Sequence, residues 1–409
     1  MQLLEGAIRN YSWGSTDLIP NLVGKQPDGT PVAEMWFGAH PAGPSLVGGR
    51  RLNEIIEEDP RGQLGERVKE KYGARLPFLL KLLAADEPLS LQAHPTMAQA
   101  TEGFERENTL GIPLEANERN YKDPSHKPEL IVALTKFQAM AGFRPLPATL
   151  ELFELLNCAE LNRYLTMLDA AEEQEADNLR ALFTTWITIP RTSRHVLIEE
   201  VVQEAANHLD RDDWISETLT TVIDLNNKYP GDIGVLGALL LNHIQLVPGE
   251  AIFLNAGQLH AYVSGLGVEI MANSDNVLRG GLTSKYVDVP ELVKVLDFES
   301  LMNPRSLPEL TNNDEQPETW EYPVPVDEFK ISRVELPARR ELGIEEDGPV
   351  IVLCTSGSAV AERTSVTGGE AESRIELNAG DALWISAQEG GCTITGDAAE
   401  TSQLFVAKT

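Results

Sequence analysis

The stretch PGEAIFLNAG, residues 248–257, returns near the end of the chain as ELNAGDALWIS, residues 376–386. In both, a glycine followed by an acidic residue opens a short run of large apolar side chains. Glycine accepts the tight-turn backbone cheaply, and a bounded apolar run of this length reads as a buried strand. The pattern predicts one β unit in each half. Working outward, the first 145 or so residues carry short apolar runs broken by Gly and Pro, which predicts more strands. Between them the texture changes. Segments such as LELFELLNCAELNRYLTML (150–168) and SRHVLIEEVVQEAANHL (193–209) space apolar residues three and four apart, as amphipathic helices do. After Pro304, the Pro- and acid-rich stretch 305–329 reads as a crossing linker, and runs such as PVIVLC (349–354) read as strands again.

The expected fold is therefore mainly β with an α-helical insertion: two cupin-like jelly-roll barrels plus a helical domain. The expected boundaries are 1–145 with 244–303 for a discontinuous catalytic β domain, 146–243 for the helical insertion, 304–326 for the linker and 327–409 for the second cupin-like domain. All seven histidines precede that last domain, so no metal is expected in it.

Composition narrows the function. At 409 residues, with 42% hydrophobic and 23% charged, the chain has the balance of a globular protein. Lys plus Arg number 33 against 63 Asp plus Glu, a net charge of −30 that would repel nucleic acid and anionic membranes. No nucleic-acid or membrane partner is expected. The three cysteines form no CxxC pair, and no apolar run approaches the ~18 residues of a membrane span. A soluble, cytoplasmic monomer is expected, and any anionic substrate must be met by a few gathered cations.

Four segments carry chemistry. In PLSLQAHP (88–95), a strand places Ser90, Gln92 and His94 on one face and Leu89, Leu91 and Ala93 on the other. If the apolar face packs against the insertion, the polar three face a site; otherwise the strand faces solvent. HKPELIVAL (126–134) puts Lys127 and Glu129 on one face, and AGQLHAYVSG (256–265) does so for His260 and Tyr262. A single histidine is more often a structural group than a ligand. Gln92, His94, Glu129 and His260 together, however, form a mixed N/O set suited to Zn²⁺ with an open position. In the polar span 265–289, Glu269, Asp275, Arg279 and Lys285 lie close together. A solvated loop is one reading. Arg279 beside glycines also suits phosphate recognition.

Taken in order, YSWG (11–14), EMWFGAHP (34–41), LSLQAHP (89–95), YKDPSHKPEL (121–130), LNAGQLHAY (254–262) and EIMANSDNVLRGGLTSKYVDV (269–289) resemble the type I phosphomannose isomerase family. The resemblance implies one zinc on Gln92, His94, Glu129 and His260. It further implies that mannose 6-phosphate and fructose 6-phosphate interconvert by C1/C2 proton transfer through an enediol. Ser90, Lys127, Tyr262, Glu269, Asp275, Arg279 and Lys285 are implied to line the pocket for this sugar-phosphate substrate. The base stays open among Glu269, Asp275 and His126, with Glu269 ranked first and Arg279 assisting. Ser15 stands where family members often carry Lys. A metal-dependent cupin oxygenase and a non-catalytic sugar-binding cupin are the two competing classes; neither accounts for Gln92 together with phosphate-type cations.

Overall fold

The computed structural model describes residues 1–165, 168, 174–311, 316–364 and 371–409. It is mainly sheet with helices. Among the described residues, strands gather into sheets of eleven, nine and four members, and none of the three closes on itself.

The eleven-stranded sheet is organised by one long strand, His260–Ala272. Its first residues pair with Gln92 and with Phe137–Phe143. Its remainder pairs with Phe78–Ala85 on one side and Glu129–Ala133 on the other. The register shifts between Tyr262 and Ser264, and Gly265 follows at φ +118°. A side chain at Gly265 would place its Cβ 2.6 Å from the Lys136 carbonyl oxygen, so the changeover of partners needs glycine.

Apart from helices such as Pro60–Tyr72 and Met97–Thr109, one run of consecutive helices extends from Leu146–Leu156 through Ile233–Ala238. Their buried residues recur at helical spacing, as in Leu197, Ile198, Val201 and Ala205, or Leu219, Val222 and Leu225. These side chains share one core with Leu91, Ala93, Leu259, Ala261 and Leu278. Each such burial contributes roughly 1.5–3 kcal/mol. The helices thus grip the backs of the strands that carry Gln92, His260 and Arg279, and period-two alternation turns those three to the opposite face.

Two features depart from a simple division of the chain. Gln2–Glu5 is not in the eleven-stranded sheet but pairs with Ala382–Ile385 and Leu46–Val47, inside the sheet built largely by residues 330–408. Residues 305–329, read as a linker, contribute short strands: Arg305–Ser306 pairs with Ala251–Ile252, and Glu318–Glu321 pairs with Lys330–Leu336. Residues 312–315 of that stretch lie outside the described residues. A second core containing Phe37, Leu80, Val132, Phe329, Ile331 and Phe405 fuses the front of the chain to its end. No helix among the described residues is long and apolar enough to cross a membrane.

Candidate metal centre

Strand register assembles the site in rows. Arg279 lies opposite Gln92, and Gln92 opposite His260. In a second row Trp36 lies opposite Lys81, and Lys81 opposite Glu269. Between the rows sits Glu129, the first residue of its strand and 2% exposed.

Two imidazoles converge on that carboxylate. His94 Nε2 is 3.4 Å from Glu129 Oε1, and His260 Nε2 is 3.5 Å from Glu129 Oε2. The ligand-type atoms of all three residues lie within 4.8 Å of one another. Each imidazole is turned by a backbone carbonyl: His94 Nδ1 is 2.8 Å from the Asn276 oxygen, and His260 Nδ1 is 2.9 Å from that of Gln258. A carbonyl only accepts, so both Nδ1 atoms carry the proton and both Nε2 atoms present a bare lone pair. His94 Nε2 and Glu129 Oε2 are buried without a hydrogen-bond partner. Two lone pairs turned on a carboxylate repel it unless a cation lies between them. The donor set fits zinc, whose protein ligands are neutral imidazole and carboxylate.

The electrostatics agree. Burial, with Lys127 and His260 adding to it, pushes the His94 imidazole down to about 4, which keeps it neutral. Burial alone would raise Glu129, but the Lys127 ammonium, whose Nζ lies 3.1 Å away, more than offsets this and holds it well below the usual carboxylate range. Gln92 brings its amide nitrogen to 3.5 Å from His260 Nε2, and a half-turn of the amide puts its oxygen there instead.

Beside this cluster opens a cavity of about 200 Å³, lined by Tyr11, Glu34, Trp36, His40, Lys81, Gln92, Lys127, Glu129, Tyr262, Glu269 and Asp275 among others. Glu269 is buried, and both its oxygens are engaged: Lys81 Nζ donates to Oε2 at 2.7 Å and the Tyr262 hydroxyl to Oε1 at 3.0 Å. Burial raises its carboxyl, Lys81 opposes that, and Glu129 and Glu34 add to it. Asp275 is more open and faces His40, with Oδ1 at 3.3 Å from Nε2. Burial pushes Asp275 up, but the contact with His40 and the nearby lysines more than reverse this, holding it below its ordinary value.

Other expected residues fall elsewhere. Ser90 does not line this cavity; Leu89 does, because its N–H is tied to the Tyr262 carbonyl and the strand begins only at Leu91. His126 lines a neighbouring cavity of about 540 Å³ that shares His40 and Asp275 with the first. Arg279 is half-buried with no carboxylate partner among the described residues, and burial lowers its pKa. Lys285 is exposed, and burial of its stem followed by repulsion from Arg279 lowers its ammonium. The glycines after Arg279 do not serve a ligand. A Cβ at Gly281 would lie 2.5 Å from the Gly234 nitrogen, and Gly280 packs against Leu292, Leu259 and Leu91. They let the helical segment approach.

Lys81, Glu34, Trp36, His40 and Tyr11 carry no role in the sequence reading. Lys81 had a signal: it is the single charge in the otherwise apolar, wholly buried strand Phe78–Ala85. Ser15 is a buried structural hydroxyl, donating to Asp17 Oδ1 at 2.7 Å.

Asn276 braces the ligand loops. Its backbone oxygen turns His94, and its fully buried side chain bonds Lys122 N, Asp123 O and Ser125 O at 2.6–2.8 Å. Asn276→Ala leaves those partly buried groups without their partner, at up to about 1–3 kcal/mol each. The expected results are a lowered melting temperature and zinc affinity weakened about 10- to 100-fold, as for lost outer-shell support. Metal titration of the variant checks this.

Residues 1–146 match the family model for the phosphomannose isomerase type I catalytic domain. The chain is 37% identical over 402 residues to the mannose-6-phosphate isomerase of Escherichia coli, covering 97% of each. It is 32% identical over 415 residues to the human mannose-6-phosphate isomerase, covering 94% of this chain and 93% of that one. The crystal structure of mannose 6-phosphate isomerase from Salmonella typhimurium bound to substrate and a zinc atom superposes with a TM-score of 0.86 at 35% identity, covering 100% of this chain and 99% of that one. With relatives this similar over nearly its whole length, the chain belongs to the type I phosphomannose isomerase family.

Proposed function

We propose that this protein is a zinc-dependent isomerase interconverting mannose 6-phosphate and fructose 6-phosphate by C1/C2 proton transfer through an enediol. The observation that carries the reading is the pair of bare, buried Nε2 atoms turned on Glu129 beside a polar cavity. Gln92, His94, Glu129 and His260 would hold one zinc. Bound there, zinc supplies a Lewis acid that polarises a carbonyl oxygen.

The chain's own residues do the rest. Lys127 and Tyr262 orient the sugar from the cavity wall. Glu269, with both oxygens occupied, anchors Lys81 and Tyr262. Proton transfer falls instead to Asp275, which is ionised, more open and oriented by His40. His126 shares a cavity with Asp275 and exchanges protons with the sugar's hydroxyls. Arg279 and Lys285 take the phosphate, two cations gathered locally in a strongly acidic chain. Ser90 lies off the cavity wall and takes no part in this scheme. The fine architecture we propose is two cupin-like jelly rolls, one from most of 1–145 with 244–303, interrupted by helices over 146–243, and one from 327–409, whose sheet also takes in Gln2–Glu5, Leu46–Val47 and Glu318–Glu321. The helices between Leu146 and Ala238 support it.

The test is turnover of mannose 6-phosphate before chelation, after chelation and after zinc is restored. Activity lost and regained supports the proposal. Turnover unaffected by full removal of metal contradicts it.

A further inference from the structure

His126 is held from an unexpected direction. Its Nε2 lies 2.8 Å from Oε1 of Glu328, a residue more than two hundred positions further along the chain. Both side chains are largely shielded, 21% and 14% exposed, and both line the cavity that contains Asp275. The residues around Glu328 fix its place. Phe329 is fully buried in the core that joins the two ends of the chain, and Asp327 pairs with Lys71 at 2.7 Å. The Tyr322 hydroxyl, at the start of the same segment, donates to the Gly249 carbonyl at 2.9 Å.

We infer that Glu328, delivered by the C-terminal part of the chain, is a positioning residue that completes the site by fixing the tautomer and orientation of His126. An ionised carboxylate only accepts, so His126 Nε2 must donate. Burial would raise the Glu328 carboxyl, but the contact with His126 more than offsets this and keeps it ionised. In the neutral ring the lone pair then sits on Nδ1, and a single nitrogen is left to take up and return a proton. The same division of labour, a carboxylate orienting an imidazole that moves the proton, governs hydrolytic triads. The C-terminal region is thereby part of the catalytic apparatus as well as packing.

The inference rests on His126 exchanging protons with the substrate, and two independent readouts separate the claims. In wild-type holoenzyme, ¹⁵N spectra of the His126 ring should show the proton on Nε2; in Glu328→Ala the two tautomers should mix. In kinetics, Glu328→Ala should lower kcat about 10- to 100-fold, below the 10²–10⁴ that a whole acid–base group contributes, with KM within about twofold and zinc content unchanged. Glu328→Asp should recover part of the loss, and Glu328→Ala should cost nothing further in a His126→Ala background. Asp327→Ala, which weakens the same junction away from the cavity, should leave kcat unchanged. An unaltered ring spectrum in Glu328→Ala overturns the inference. So does an undiminished kcat, an equal loss in the His126→Ala background, or an equal loss in Asp327→Ala. If the wild type turns over no sugar phosphate, the functional proposal fails and the ring spectrum alone decides the role of Glu328.

Discussion

His260→Ala is expected to leave the protein folded but without tightly bound zinc and with less than about 1% of wild-type isomerase activity. The reason lies in the pairing of the cluster. His260 supplies one of the two bare Nε2 atoms facing Glu129, and it does so because the Gln258 carbonyl holds its other nitrogen. Losing an outer-shell partner costs about 10- to 100-fold in metal affinity, and losing the ligand itself must cost more. Folding should survive, because the long strand that carries the residue is paired from Gly265 to Ala272 with Phe78–Ala85, over Gly267–Met271 with Glu129–Ala133, and at its start with Phe137–Phe143. Elemental analysis of the purified variant alongside its turnover checks both halves. Full zinc occupancy in His260→Ala would remove this residue from the site.

The second large effect is expected at Arg279. A phosphomonoester near neutral pH carries close to two negative charges and meets a chain of net charge −30. Arg279 is half-buried, faces no carboxylate among the described residues, and stands across the ladder from Gln92. A hydrogen bond to a charged group is worth about 1.5–3 kcal/mol, or about 10- to 100-fold in binding. Arg279→Ala should therefore lower kcat/KM for mannose 6-phosphate by at least that factor with zinc content unchanged. A fall in kcat as well as a rise in KM would show that Arg279 also stabilises the transition state. Wild-type kinetics in the variant would return residues 269–285 to a solvated loop.

Much of the site was legible because period two and period 3.6 leave marks in a sequence. The alternation in PLSLQAHP works from Leu91 onward, where Leu91 and Ala93 enter the core shared with the helices and Gln92 faces the cavity. It fails one step earlier. At Leu89 the chain is not yet a strand, and a backbone bond to Tyr262 sets its direction. Glu269 shows a subtler limit. It stands an odd number of residues from Tyr262 yet receives that side chain's hydrogen bond. The register shift after Tyr262 and the bend at Gly265 change which face is presented, and alternation alone cannot carry across them.

Two further features left no local mark. The glycines after Arg279 suggested a ligand, whereas their space is taken by Gly234 and by apolar side chains of other segments. Glu328 sits in an acidic, Pro-rich stretch that looks like solvated linker; only the tertiary fold brings it to His126. Lys81 is the opposite case. A charge within FLLKLLAA must be paired to be buried, and its partners prove to be Glu269 and Glu34.

The central claim is that the buried carboxylate and its two facing imidazoles bind zinc. Anomalous diffraction at the zinc edge, from crystals of the holoenzyme, tests it most directly. The account predicts one strong peak per chain, about 2.0–2.2 Å from Nε2 of His94, Nε2 of His260 and a Glu129 oxygen. Crystals of active enzyme with no peak among these residues, or with their zinc bound elsewhere on the chain, would contradict it.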